Sequence, residues 1–136
     1  MAFGPNSAVK RTASPPLTLA VRPHVKRLLF VCSRNKLRSP TAEQVFSTWE
    51  NLEVASAGLA ADAETPLTSD LVEWADIIFV MEKAHRSKLS AMFKQSLNGQ
   101  RIVCLNVPDR YEFMEPALVN LLTARVPKFL GADGAV

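Results

Sequence analysis

The sequence is poor in cysteine and has no long apolar run, and each shortage excludes a class of protein. Only two cysteines occur among 136 residues, too few for the disulfide framework of a small secreted domain. No apolar stretch approaches the roughly 20 residues that a membrane-spanning helix needs. The first 27 residues also lack the continuous apolar core of a secretory signal. We therefore expect a cytoplasmic protein without a membrane partner, in a reducing environment that suits a reactive thiol.

Acidic residues are absent from the first 27 residues, which carry five lysines and arginines. A tail charge of +5 within a formal total of +3 leaves −2 for the rest of the chain. The basic character of the whole chain therefore does not indicate a nucleic-acid-binding body, and we expect no nucleic-acid partner. Residues 1–25 are rich in proline and show no periodicity, so we predict a disordered basic tail before a domain over 26–130.

Short apolar runs alternate with amphipathic helical segments from residue 28 onward. Predicted strands cover residues 28–31, 52–56, 77–81 and 101–105. Predicted helices cover residues 68–75, 83–94 and 115–125, after a first helix that Ser39 caps and Pro40 begins. This alternation predicts an α/β fold: a single doubly wound four-stranded parallel sheet with helices on both faces.

Two chemically interesting loops follow strands of this predicted sheet. Cys32 comes directly after the first strand, and Asp109 lies in the loop after the fourth. Because the carboxyl ends of parallel strands meet at one edge, where open α/β folds bind ligands, topology places both loops on one side of the molecule.

The loop from Cys32 to Ser39 joins an apolar strand to a helix N-terminus. Backbone N–H groups in such a loop can form a cradle for an anion, and the helix dipole adds partial positive charge. Arg34, Lys36 and Arg38 add full charges, which favour a thiolate at Cys32, a competent nucleophile toward phosphorus. The Arg38 guanidinium offers a planar fork for two phosphate oxygens. The alternative is a buried structural cysteine with an accidental spacing to Arg38.

Three segments, in order, resemble one known family. The first is Leu29-Phe30-Val31-Cys32 followed by Asn35, Arg38, Ser39, Pro40, Ala42 and Glu43. The second is Ser56-Ala57-Gly58, and the third is Val107-Pro108-Asp109-Arg110-Tyr111. Over about residues 28–125 they are similar to the phosphate loop, the next recurring segment and the late acid loop of the low-molecular-weight protein tyrosine phosphatases.

This resemblance implies a cysteine-dependent phosphomonoester hydrolase of the protein-tyrosine-phosphatase type that works through a phosphocysteine. Cys32 would attack, Arg38 would hold the phosphoryl group, and Asp109 would act as general acid and then as general base. The resemblance implies a phosphate-binding loop that also includes Ser33, Arg34, Asn35, Lys36, Leu37 and Ser39. Asn35 and Ser39 would shape the loop, with Ser39 donating to the Cys32 sulfur. It implies no metal or cofactor, and as substrate a phosphorylated protein or a small phosphomonoester.

The chain departs from the family pattern at several points. Arg34 stands where the family usually has glycine, so its side chain is expected to point outward unless the mouth of the site changes shape, and Leu37 replaces a second loop cysteine. Arg110 and Glu112 replace parts of the late motif. The stretch between residues 58 and 76 is also short, and that region normally borders the substrate cleft. Phosphotyrosine specificity therefore stays open at this point.

Several other residues have side chains that could serve either the site or the core. Glu112 and Glu115 lie close enough in sequence to compete with Asp109 as the acid. His85 is expected on the surface of its helix and Met92 on the inward face of the same helix, with Cys104, Trp49 and Trp74 in the core. A Cys32–Cys104 disulfide is not expected if the third strand lies between the first and fourth.

Three alternative functions remain open from the residues. The first is arsenate reduction through thiols, for which Cys104 is the one further cysteine. The second is a phosphocysteine carrier of the sugar-transport type, which gives Arg38 and Asp109 no purpose. The third is a non-catalytic phosphate- or anion-binding module on the same fold, which Arg34 leaves open.

Overall fold

The computed structural model describes residues 25–130, so the predicted tail lies outside the described residues except for Val25. Four strands and four α-helices alternate along this part of the chain. The strands are β1 (Lys26–Cys32), β2 (Leu52–Gly58), β3 (Ile77–Val80) and β4 (Arg101–Cys104). The helices are α1 (Arg38–Phe46), α2 (Ser69–Trp74), α3 (Lys83–Met92) and α4 (Pro116–Arg125). Short 3-10 turns at Lys94–Ser96 and Val126–Phe129 follow α3 and α4.

The strands form one parallel sheet in the order β2-β1-β3-β4. In its register, Phe30 of β1 is paired with Ser56 on one side and with Phe79 on the other. The inner strand β1 carries the unbroken apolar run of the sequence, because a strand covered on both faces needs apolar residues at successive positions. The predicted four-stranded parallel sheet is therefore confirmed, and the carboxyl ends of β1 and β4 share an edge.

Alternate residues of the strands pack into two separate cores, one on each face of the sheet. Phe30, Phe46 and Leu118 belong to the core that α1 and α4 cover. Leu29 and Leu89 belong to the core that α2 and α3 cover. The side chain of Phe30 stacks on Phe46 and on Phe79, with ring centroids 5.8 and 5.2 Å apart. Both faces of the sheet are thus filled, which holds β1 and the loop that follows it in place.

The start of α1 differs from the prediction. The helix begins at Arg38, one residue before the predicted cap, and Leu37 occupies the cap position without a side-chain hydrogen bond. Ser39 therefore lies inside the first turn, where its hydroxyl contacts the sulfur of Cys32. The prediction of Ser39 as helix cap is wrong, because the thiol is the better-placed partner for this buried hydroxyl.

Two apolar residues that were predicted to be inward are exposed. The helix α1 ends at Phe46, so Trp49 falls beyond it with 38% of its surface exposed and only the edge of its ring against Phe46. Met92 is the last residue of α3 and is also exposed. Both side chains lie where the helix ends, so the periodicity that predicted their direction no longer applies to them.

None of the helices described between residues 25 and 130 is long and apolar enough to cross a membrane. Over the same residues, no cluster of three or more histidine, cysteine or acidic side chains is arranged to hold a metal ion.

The stacked phenylalanines allow a direct test of the core. Phe79 is fully buried and contacts both Phe30 and Phe129. We expect Phe79→Ala to lower the free energy of unfolding by about 3–5 kcal/mol, through lost burial and a residual cavity. Phe113→Ala, at an exposed phenylalanine, is the matched control and is expected to cost less than about 1 kcal/mol. Urea unfolding followed by tryptophan fluorescence measures both, and equal losses would contradict the assigned core.

Candidate active site

The sulfur of Cys32 lies at the end of β1 and is surrounded by hydrogen-bond donors. Cys32 is buried, and its Sγ is 2.9 Å from the hydroxyl of Ser39 and 3.3 Å from the backbone N–H of Asn35. Asn35 adopts a φ of 59°, a left-handed conformation that asparagine tolerates better than most residues. This turn lets the chain fold back so that its amide points at the sulfur.

The backbone of this loop is held from outside by the segment after β2. Three backbone amides bind the carbonyls of three consecutive loop residues: Leu59 to Cys32 (2.9 Å), Ala60 to Ser33 (2.8 Å) and Glu64 to Arg34 (3.1 Å). Gly58 is required at this contact, because an added Cβ would lie 2.6 Å from both the Ser33 carbonyl oxygen and the Ala63 Cβ. With its carbonyls bound outward, the loop leaves its interior to N–H groups, the arrangement that binds anions.

A chain of side-chain hydrogen bonds runs from the sulfur to a partly buried carboxylate. Asn35 donates through Nδ2 to the hydroxyls of Ser39 and Ser56, at 3.0 Å each. Ser56 in turn donates to Glu43 Oε1 at 2.5 Å. Since Ser39 Oγ accepts from Asn35, its own hydrogen is available to Cys32 Sγ. The chain therefore orients a hydroxyl donor toward the sulfur.

The guanidinium of Arg38 is buried, with 4% of the residue exposed, and its partners come from two other loops. Its Nη1 donates to Glu82 Oε2 at 2.5 Å and to the carbonyl of Val107 at 2.8 Å. Its Nε lies 3.7 Å from Asp109 Oδ1. Among residues 25–130, no hydrogen-bond acceptor is assigned to Nη2. The Nε–Nη2 edge, which is the one that binds two oxygens of an oxyanion, thus faces only the exposed Asp109 carboxylate.

Asp109 is the acidic residue of its loop that reaches Arg38. Its side chain is 67% exposed, and the loop around it is tied to α1 by the Arg38–Val107 contact and by the Met114 amide, which donates to Thr41 Oγ1 at 2.9 Å. Of the two competing carboxylates, Glu115 accepts from the backbone N–H of Glu112, and neither contacts Arg38 or Cys32. The structure therefore brings Asp109 to Arg38, whose neighbour in the sequence, Ser39, contacts the sulfur of Cys32.

The other residues of the predicted phosphate loop differ in whether their side chains face solvent or the sulfur. Ser33, Arg34 and Lys36 expose their side chains, and Leu37 is half-buried at the start of α1. Arg34 points outward as predicted, where it forms an exposed ion pair with Asp62 at 2.9 Å. Only Asn35 and Ser39 contribute side chains to the immediate surroundings of the sulfur.

Glu82, the cap of α3, and His85, within α3, both contact the site, and the sequence predicted neither contact. Glu82 is the partner of Arg38, and it follows β3 at the same sheet edge as Cys32, so the strand-edge rule could have found it. His85 was predicted on the surface, which is wrong: it is 5% exposed and contacts Ser33. Helical periodicity could not reveal this, because His85 packs against a loop rather than against the sheet.

The second cysteine lies away from the sulfur of Cys32. Cys104 ends β4, and β3 separates it from β1, so the two thiols are free, as expected. Cys104 is half-buried rather than fully in the core, and its thiol faces Asn106. Trp74 is likewise half-buried against the core on the α2–α3 face.

Cys32 ends a strand, the loop after it turns an amide back toward the sulfur, and Arg38 begins the next helix, an arrangement that is typical of the phosphate-loop cysteine proteins. Comparison with solved structures narrows this class. Wzb from Vibrio vulnificus, in complex with benzylphosphonate, is 27% identical over 73% of this chain and 90% of its own, with a TM-score of 0.58. SP-PTP from Streptococcus pyogenes, a low-molecular-weight protein tyrosine phosphatase, is 16% identical over 80% and 96%, with a TM-score of 0.65.

The fold is also that of an arginine phosphatase. YwlE from Geobacillus stearothermophilus is 21% identical over 73% of this chain and 82% of its own, with a TM-score of 0.52. No protein-family model and no curated protein sequence matches the chain. The chain thus has the fold of the low-molecular-weight protein tyrosine phosphatases.

The partly buried Glu43 predicts a pH dependence of stability. Burial raises the pKa of Glu43 above its ordinary 4.5, more than the hydrogen bond from Ser56 lowers it. The folded protein therefore holds this proton more tightly than the unfolded chain. The contribution of Glu43 to the free energy of unfolding is accordingly greatest at low pH and is lost as pH rises through the raised pKa. We expect wild type to lose stability relative to Glu43→Gln between about pH 4 and about pH 8.

Urea unfolding at the two pH values measures this difference. The exposed carboxylate of Glu50 lies on the loop just after α1, so Glu50→Gln is the matched control. If the difference in free energy of unfolding between wild type and Glu43→Gln is the same at both pH values, folding does not raise the pKa of Glu43.

Proposed function

We propose that this protein is a cysteine-dependent phosphomonoester hydrolase, of the protein-tyrosine-phosphatase type, that forms a phosphocysteine. The observation that carries the proposal is the position of Cys32 Sγ beside the Ser39 hydroxyl and the Asn35 amide. The loop that begins at Cys32 leads directly to the buried Arg38. The structural relatives include phosphatases by name, which supports the same class.

In the first step, the Cys32 thiolate attacks phosphorus in line with the leaving group. The sulfur–phosphorus bond forms as the bond to the leaving oxygen breaks, and its electron pair goes to that oxygen. Protonated Asp109 supplies the proton that neutralises it. The donors of Ser39 and Asn35 contact the sulfur before the attack and stabilise its negative charge when it leaves.

The phosphoryl oxygens are held by the loop amides and by Arg38. Since Nη1 is already bound to Glu82 and Val107, the guanidinium is fixed in orientation, and its remaining Nε–Nη2 edge presents two donors. A dianion at this edge replaces the Asp109 carboxylate as partner of Nε. The acid is then free to face the leaving oxygen, and its exposed position allows this movement.

In the second step, water attacks the phosphorus of the phosphocysteine. Asp109, now a carboxylate, accepts a proton from that water, and the sulfur–phosphorus bond breaks. Its electron pair returns to Cys32, which regenerates the thiolate, and inorganic phosphate leaves. The residues supply nucleophile, acid–base group and charge, so the chemistry requires no metal or cofactor, as the resemblance implies.

The substrate of this site is a phosphomonoester on a protein or on a small molecule. SP-PTP is by name a tyrosine phosphatase and YwlE an arginine phosphatase, so the shared fold serves more than one phosphorylated residue. We favour a phosphate ester over phosphoarginine for this chain, in line with the resemblance of its loops to those of the tyrosine phosphatases.

Metal-free hydrolysis of p-nitrophenyl phosphate from about pH 4.5 to about pH 8 tests the proposal. We expect a mildly acidic optimum, because thiolate Cys32 must coexist with protonated Asp109. Cys32→Ser is expected to abolish turnover, and Asp109→Asn to lower kcat by about 100-fold through loss of the acid. Cys104→Ser is the matched control, with activity close to wild type.

The result that would contradict the proposal is equally direct. If well-folded wild type with reductant present gives no turnover at any pH, the phosphatase mechanism is wrong. Tight binding of inorganic phosphate without turnover would then indicate an anion-binding module, and dithiol-dependent reduction of arsenate would indicate the reductase.

A further inference from the structure

His85 lies between the two halves of the site and contacts both. It is the third residue of α3, and its ring is buried against the phosphate loop. Its Nδ1 is 3.2 Å from the backbone N–H of Glu82, which donates to it. Its Nε2 is 3.1 Å from the hydroxyl oxygen of Ser33. No step of the mechanism above uses this buried, titratable side chain.

The first contact determines which nitrogen of the ring carries the proton. A backbone N–H can only donate, so Nδ1 of His85 must be unprotonated to accept from Glu82. A neutral ring then has its hydrogen on Nε2, which donates to Ser33 Oγ. In this tautomer the ring cannot take a proton from Ser33, so Ser33 and His85 are not a nucleophile and its base.

Each contact of the ring leads to one half of the proposed machinery. Ser33 is the residue directly after Cys32, and Glu82 holds Nη1 of Arg38 through its carboxylate at 2.5 Å. The ring therefore bridges the loop that carries the nucleophile and the residue that orients the guanidinium. A doubly protonated ring has no acceptor left for the Glu82 amide, so protonation breaks one of its two contacts.

We propose that neutral His85, protonated on Nε2, is a positioning residue that holds the Cys32 loop and the Glu82–Arg38 pair in one geometry for binding and transfer of phosphate. It does not touch the reacting atoms. Protonation of the ring releases the Glu82 amide, loosens the support of Arg38 and lowers activity at acid pH. This inference rests on the proposed phosphatase function for its kinetic consequences and on the ring geometry alone for its tautomer.

The charges around the ring support a neutral state over the working range. Burial and then the positive charge of Arg38 lower the pKa of His85 below its ordinary 6.5, and Lys88 acts in the same direction. The carboxylates of Glu82 and Asp109 oppose this and raise the pKa, but by less. The neutral ring therefore persists below the pH at which a free histidine becomes protonated, and it is lost only toward the acid limb of the profile.

The tautomer is tested without any measurement of activity. The chain has two histidines, so ¹⁵N ring spectra of the full-length protein compared with His24→Gln assign the signals of His85. We expect the Nε2–H neutral pattern at about pH 6.5. A ring that is protonated on Nδ1 there, neutral or doubly protonated, would overturn the inference whether or not the protein hydrolyses phosphate esters.

Kinetics then separate a positioning role from a purely structural one. His85→Ala removes both contacts, and we expect kcat/KM to fall by at least about tenfold, the effect of losing one or more hydrogen bonds. Glutamine offers an amide oxygen and an amide N–H and commonly occupies this helix position as an acceptor for the cap N–H. His85→Gln is therefore expected to restore most of the neutral-pH activity and, since glutamine does not titrate, to give a shallower acid limb.

Ser33→Ala removes the loop contact alone, and Ser87→Ala on the exposed side of α3 is the control. Inorganic phosphate is the probe for binding, measured by the shift it causes in thermal unfolding. If His85→Ala keeps the kcat/KM and the phosphate binding of wild type, the positioning role is wrong. If His85→Gln keeps the acid limb of wild type, protonation of His85 does not cause the loss of activity at acid pH. If wild type itself has no turnover, the proposed function fails, but the ring spectra and phosphate binding of these variants still decide whether His85 positions the site.

Discussion

The burial of the Arg38 guanidinium is the constraint on which the site depends. A buried cation is tolerated only when its partners satisfy it, and here the Glu82 carboxylate and the Val107 carbonyl do so from two different loops. These partners orient the guanidinium before any substrate arrives. They also fix the relative positions of α1, the start of α3 and the loop after β4. The arginine thus joins three segments at one edge of the sheet, and in the proposed function a phosphate would bind there with little cost of reorganisation.

The phosphate loop is rigid for a second reason, which lies outside it. The amides of the segment after β2 take up the loop carbonyls, and the lack of a side chain at Gly58 lets the two backbones approach closely. The family's usual glycine in the loop itself is replaced by Arg34, yet the backbone keeps its turn. The left-handed conformation is supplied by Asn35, and the arginine side chain is directed outward to Asp62. The substitution therefore changes the rim of the site and not its interior.

Much of this arrangement could be predicted, because it depends on local patterns. The unbroken apolar run before Cys32 predicted an inner strand, and the order of strands and helices predicted the parallel sheet with the Cys32 and Asp109 loops at one edge. What could not be predicted depends on side-chain direction at the ends of helices. Glu82 lies in the site because it pairs with Arg38, and His85 is buried because it packs between Glu82 and Ser33. The exposure of Trp49 follows from α1 ending three residues earlier. Periodicity carries no information about contacts between a helix end and a loop.

The strand order β2-β1-β3-β4 has a consequence for how the protein acquires its site during folding. Cys32 and the loop around it lie in the first third of the chain, while Glu82, His85, Val107 and Asp109 follow more than forty residues later. The inner strand β1 is also the first to leave the ribosome, and one of its two edges has no partner until β3 has been made. The ordered surroundings of Arg38 are therefore a late, long-range product of folding, and a nascent chain that ends after β2 carries the cysteine loop without the groups that orient its arginine.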